Sequence, residues 1–169
     1  MDLVGYVLAQ AIQRAVVKKK GAPPRAVIET VIVQKVATFL KNAFPQIDRL
    51  HLVGSRLRHR EARDLDFIAV VGHADELPDG RMKTLSFGPI PKINVWFALP
   101  DEAEMHILNF GLGLDDIRWK RRARELGYNL NQYGLWRGAK LVTQKMAEVA
   151  KILKLPLKPF LVATLKNPL

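Results

Sequence analysis

Apolar residues recur along this chain with two different periods. Over residues 2–20, Val4, Val7, Leu8, Ala11, Ile12 and Ala15 form a helical stripe, with Asp2 as candidate N-cap. Lys18, Lys19, Lys20 and Gly21 suit the end of that helix, cations at the negative dipole end followed by a C-cap glycine. Residues 24–43 carry two signals. The β-branched Val27, Ile28, Thr30, Val31, Ile32 and Val33 favour a strand. Ile28, Ile32, Val36, Phe39, Leu40 and Ala43 recur at helical spacing, over a run too long for a strand, between Pro24 and Pro45. We read a helix. From residue 47 the texture shortens to strands over 49–53, 65–71, 84–87 and 93–99, separated by Pro78-Asp79-Gly80 and by Pro89 to Pro91. Helices are predicted over 101–109 and 114–126, a hairpin arm over 128–136 around Gly134, and a last helix over 144–153.

Composition narrows the class. At 169 residues and 49% hydrophobic, the chain can bury one core, or two small ones that share an interface. A soft boundary falls near residues 100–112, dividing 1–105 from 106–169. With no cysteine, disulfides, iron–sulfur clusters and thiolate zinc sites are excluded. His51, His59, His73 and His106 show no metal-ligand spacing. Neither a membrane span nor a signal peptide is legible, so a soluble, cytoplasmic protein is expected. The net charge of +11 fits a polyanionic partner, nucleic acid above all, and equally a generally basic surface rich in helix-end lysines.

The candidate chemistry lies in Val53-Gly54-Ser55-Arg56-Leu57-Arg58, followed by Asp64-Leu65-Asp66-Phe67-Ile68. A Gly-Ser turn after a strand lets backbone N–H groups approach a phosphate, with a hydroxyl and an arginine nearby. Strand alternation places Asp64 and Asp66 on one face, roughly 7 Å apart along the chain, while Leu65, Phe67 and Ala69 pack the other. Such paired carboxylates suit Mg²⁺ when substrate phosphates complete its coordination. The same residues also allow a plainer account, in which Asp64 caps and Asp66 pairs with Arg56, Arg58, Arg60 or Arg63.

Taken in order, these segments resemble DNA polymerase family X, a nucleotidyltransferase family. Gly54-Ser55 through Asp66 looks like its signature. Ile93-Asn94-Val95-Trp96-Phe97 is similar to the strand that brings its third catalytic aspartate. Asn109-Phe110-Gly111 resembles the turn that shapes its sugar pocket. Arg122 through Leu135 and Met146 through Pro159 resemble the helix, arm, closing helix and Leu-Pro tail of its C-terminal subdomain. The likeness runs over about residues 27–160 and is to the small viral type without an amino-terminal lyase domain. It implies an α+β fold: a nucleotidyltransferase palm, with a mixed sheet and flanking helices, plus a small C-terminal helical and hairpin subdomain. It also implies metal binding by Asp64, Asp66 and the residue at 94, as the catalytic group. Gly54, Ser55, Arg58, Phe110 and Gly111 would hold the nucleotide, with Mg²⁺ (or Mn²⁺) as cofactor.

Arg118, Lys120, Arg121, Arg122 and Arg124 would contact DNA; Arg118, Arg121 and Arg122 share one face of their predicted helix. A solvated cationic face is the plainer account of them. Trp96, Trp119 and His106 read as packing residues. The implied partners are duplex or gapped DNA and a nucleoside triphosphate, with the protein a monomer that binds no membrane, serving DNA repair. Position 94 departs from the family: Asn94 stands where an aspartate is expected, whether natural or introduced. The Ser55–Asp64 spacing is one residue short, the sugar-pocket turn lacks its threonine, and His59 replaces a common glycine. Two functions are therefore carried forward. One is a nucleotidyltransferase extending DNA 3′ ends by two-metal transfer, weakened at Asn94. The other is a catalytically inactive palm that binds DNA or nucleotide. A small-molecule nucleotidyltransferase fits the +11 charge less well.

Overall fold

The computed structural model describes residues 26–59 and 61–169, so the helix expected over residues 2–20 falls outside the described residues. The described chain runs β1 (Ala26–Val27), α1 (Thr30–Ala43), β2 (Ile47–Val53), α2 (Gly54–Arg58), β3 (Glu61–Ala62) and β4 (Leu65–Val71). It continues through β5 (Met82–Phe87), β6 (Ile90–Ala98), α3 (Ala103–Gly111), α4 (Asp115–Glu125), β7 (Asn129–Asn131), β8 (Gly134–Arg137), β9 (Lys140–Thr143), α5 (Met146–Leu153) and α6 (Pro159–Lys166). This is the expected α+β architecture.

The main sheet has the order β2-β4-β6-β5. β4 pairs antiparallel with β2 and parallel with β6, and β5 closes the far edge antiparallel to β6. Two apolar cores form, one on each face. Phe67, Ala69, Val95 and Phe97 pack with Ile32, Val36 and Leu40 of α1. Val53, Ile68 and Ala98 pack with Met105 and Leu108 of α3, Trp119 of α4, Val149 and Leu153 of α5, and Leu161 of α6. The second core thus joins the sheet to the C-terminal helices. β4 is buried on both sides, which explains its nearly unbroken apolar run.

Four expectations need correction. The helix read over residues 24–43 begins only at Thr30. Ala26–Val27 is a strand paired with Glu61–Ala62, while the β-branched Thr30–Val33 run is helical. The hairpin does not turn at Gly134. Asn131 and Gly134 are the last paired positions, and the turn lies at Gln132 and Tyr133. Gly134 is needed because β9 passes close: a Cβ there would collide with Leu141 and lie 3.1 Å from the Thr143 carbonyl oxygen. β9 makes the arm three-stranded. The helix over 144–153 is not the last, since α6 follows it.

α6 ties three parts of the molecule together. Leu161 is fully buried and fills the space left by the missing side chain of Gly111. The Thr164 carbonyl oxygen lies 2.9 Å from Nδ1 of His51 on β2. Beyond the helix, the Leu169 N–H donates to the Leu50 carbonyl at 2.8 Å, extending the free edge of β2. Trp119 and His106 are buried, as their reading as packing residues requires.

Burial holds the imidazoles of His51 and His106 below their ordinary 6.5. Both pKa values are depressed in the fold, so their contribution to stability is complete above about pH 6.5 and is lost as pH falls through the folded values. Thermal unfolding should therefore shift to lower temperature between pH 7.5 and 5.5. His51→Gln and His106→Gln should each flatten the dependence, by at most about 1.4 kcal/mol per pH unit. A pH profile unchanged by both substitutions would contradict this account.

Candidate nucleotide and nucleic-acid site

The strand register that builds the two cores also builds the site. Val53 is opposite Asp66, and Asp66 is opposite Asn94 across the parallel pair. β2 ends at Val53, and the chain turns at once into α2 through Gly54, whose φ of 74° is left-handed. A Cβ on Gly54 would collide with the Asp66 carboxylate. Glycine is thus needed twice, for the turn and for the close approach. Asp66 Oδ1 accepts a hydrogen bond from Asn94 Nδ2 at 2.9 Å. Asp64 lies in the bend just before β4, its Oδ2 4.0 Å from Lys92 Nζ. Asp66 and Asn94 therefore meet beside the Gly54 turn, and Asp64, two residues earlier in the chain, is near enough for its charge to act on Asp66.

Electrostatically the cluster is unsettled. Burial pushes the Asp66 carboxyl above its usual range; the hydrogen bond from Asn94 opposes this, Asp64 adds to it, and Lys92 and Arg58 oppose it. A half-buried carboxylate beside a second one is stabilised by any cation that reaches both. Two carboxylates fit one hard divalent ion whose remaining ligands come from phosphates and water. The third position does not fit the same role, because Asn94 turns its NH₂ group, not its oxygen, toward Asp66. Among the described residues, no three His, Cys, Asp or Glu side chains are grouped as a metal site requires.

The other expected nucleotide contacts gather around the same turn. Ser55 is half-exposed in the first turn of α2. Arg58 Nη1 donates to the Gly111 carbonyl at 3.0 Å, and its guanidinium lies against Gly113, where a Cβ would sit 2.6 Å from Cζ. Arg58 thus ties α2 to the 111–113 turn. Phe110 is half-buried and stacks on Trp96, with centroids 4.5 Å apart and planes tilted by 25°. That contact uses one face of the Phe110 ring. Sequence reasoning missed Lys92 and Thr84, which flank the carboxylates, and Leu161, which backs Gly111. Only strand register and a helix beyond the Leu-Pro tail bring them there.

The five cations of α4 do not act alike. Arg118, Arg121 and Arg124 are exposed. Lys120 pairs with Asp116 at 2.8 Å, and Arg122 reaches the Leu153 carbonyl and Glu125, each at 3.3 Å. The face shared by Arg118, Arg121 and Arg122 is therefore divided, with Arg122 turned toward α5. Leu114 and Ile117 are exposed beside Arg118 and Arg121.

This fold has solved counterparts. It is similar to polymerase beta of Leishmania infantum, solved as a ternary P/T complex, with a TM-score of 0.61 and 14% sequence identity over 90% of this chain and 86% of that one. The likeness is one of fold. No family model matches the sequence, and no curated protein does. Among the described residues, no helix is long and apolar enough to cross a membrane.

Two measurements probe the site. Gly54→Ala should reduce nucleotide binding at least tenfold, since a Cβ both strains the backbone and displaces Asp66. Unchanged affinity in a folded variant would remove the turn from the site. On the C-terminal side, DNA affinity should fall with salt, and Arg118→Ala and Arg121→Ala should each lower the slope of log K against log salt by about 1. If Lys120→Ala and Arg122→Ala lower it more, the exposed face of α4 is not the contact.

Proposed function

We propose that the chain is a DNA polymerase X-like nucleotidyltransferase that seats a nucleoside triphosphate against a DNA 3′ end, with its transfer step slowed by Asn94. The observation that carries this reading is the register that sets Asp66 between Gly54 and Asn94, with Asp64 two residues before it, on a fold similar to polymerase beta. DNA is supported as partner by the +11 charge and by the exposed arginines of α4.

In the reaction, the 3′-hydroxyl oxygen forms a bond to the α-phosphorus as its proton passes to water, the α–β bridging P–O bond breaks, and pyrophosphate leaves. Ser55 offers its hydroxyl to the phosphates. The guanidinium of Arg58, braced on Gly111, adds positive charge on the same side. Asp64 and Asp66 would hold Mg²⁺, which when bound supplies charge neutralisation for the triphosphate. The Phe110–Trp96 stack forms a rigid wall adjoining Gly111, where the sugar would lie. Arg118 and Arg121 contact backbone phosphates and hold the duplex in register without reading sequence. Most of the catalysis comes from positioning and charge.

Asn94 limits the rate. An aspartate there would favour the deprotonated 3′-hydroxyl, whereas the amide carries no charge and takes no proton. The loss of such a group costs about 10²–10³ in rate. One observation favours a second reading, a palm that binds but does not transfer: the Asn94 amide already donates to Asp66.

Primer extension with Mg²⁺ and with Mn²⁺ separates the two readings. The transfer reading expects slow extension by the protein and roughly 100-fold faster extension by Asn94→Asp. If neither extends a primer that both bind in a salt-dependent manner, the binding-only palm stands.

A further inference from the structure

Thr84 belongs to no motif, yet it completes a chain of hydrogen bonds into the carboxylate cluster. It lies on β5 opposite Asn94. Its Oγ1 donates to Asn94 Oδ1 at 3.1 Å, and Asn94 Nδ2 donates to Asp66 Oδ1 at 2.9 Å. The amide has only one orientation that satisfies both neighbours. An ionised carboxylate accepts and cannot donate, so the NH₂ group must face Asp66, and a hydroxyl can donate to the oxygen that remains. Rotating the amide by 180° would break the bond to Asp66 and set oxygen against oxygen there.

We propose that Thr84 is a positioning residue. It locks the Asn94 amide with its N–H₂ toward Asp66, so that the Asp64–Asp66 pair seats one divalent cation together with the nucleotide, not two. A pair of cations about 3.5–4 Å apart needs oxygen ligands on both flanks of the shared carboxylate. On the β6 side this chain presents amide hydrogens, which repel a cation. The cation that remains is the one whose other ligands are nucleotide phosphates. The inference rests on the nucleotide reading given above, although the lock itself does not.

Two measurements keep them apart. Side-chain amide signals of Asn94, followed by NMR in the protein without ligand, report the lock. Their hydrogen exchange should be slow, about tenfold faster in Thr84→Val and within about twofold of the original in Thr84→Ser, since only the valine lacks the hydroxyl. Equal exchange in the valine and serine variants would overturn the lock. Bound Mn²⁺ is then counted by electron paramagnetic resonance with a non-hydrolysable α,β-imido nucleoside triphosphate and a dideoxy-terminated DNA hairpin, relative to the same DNA alone. One Mn²⁺ per protein is expected, rising to two in Asn94→Asp, with a weak second site emerging in Thr84→Val but not in Thr84→Ser. Two Mn²⁺ ions on the unaltered protein would overturn the single-cation site. Intact exchange behaviour in a protein that binds no nucleotide would sink the functional reading and the cation count that depends on it, and leave the lock standing.

Discussion

Asp66 sits where three strands and a turn meet, and the rest of the site depends on how it is held. Gly54 leaves room for its carboxylate, and Asn94 donates to it. Both contacts follow from register, Val53 opposite Asp66 and Asp66 opposite Asn94. A slip of one residue in either pairing would turn Asp66 or Asn94 into the α1 core and bring Phe67 or Val95 out. The apolar residues that alternate with the site therefore enforce its geometry. Leu65, Phe67, Ile93 and Val95 are all fully buried, so the register cannot shift without exposing them. Packing on one face of the sheet thus fixes chemistry on the other.

That coupling explains what the sequence made legible. Asp64, Asp66 and Asn94 could be assigned to one side because each lies on or next to a strand whose alternate residues are plainly apolar. The same logic separated Trp96 from Val95. Thr84 and Lys92 carry no such mark. Thr84 matters because β5 pairs with β6 in a particular register, which a run of six mixed residues does not reveal. The helix read over residues 24–43 concealed the strand Ala26–Val27, since a two-residue bridge leaves no period to detect. α6 was hidden by the proline-rich approach at Pro156 and Pro159. Pro159 stands in its first turn, where proline is tolerated.

The C-terminal helix changes the mechanical picture of the 111–113 turn. Leu161 packs against Gly111, and Arg58 holds its carbonyl. The same helix is fastened to β2 at His51. The turn is therefore gripped between α2 and α6, both of which are anchored to the strand that leads into Gly54. Phe110, next to Gly111, is fixed in turn by its stack on Trp96 of β6. Positions 54, 58, 94 and 110 thus belong to one braced unit, even though they come from distant parts of the chain.

The amide at position 94 also alters the balance between stability and chemistry. A third carboxylate opposite Asp66 would add like charge to a cluster in which burial and Asp64 already oppose ionisation. Such a cluster is comfortable only with cations bound. Asn94 replaces that repulsion with a hydrogen bond and passes a second one to Thr84, so the sheet end is satisfied by its own side chains. Polar groups satisfied internally gain less from a ligand than frustrated ones. The amide therefore leaves Asp66 and Thr84 with hydrogen-bond partners that need no added charge. The remaining frustration is Asp66 itself, a carboxyl whose ionisation burial and Asp64 both oppose beside the glycine turn.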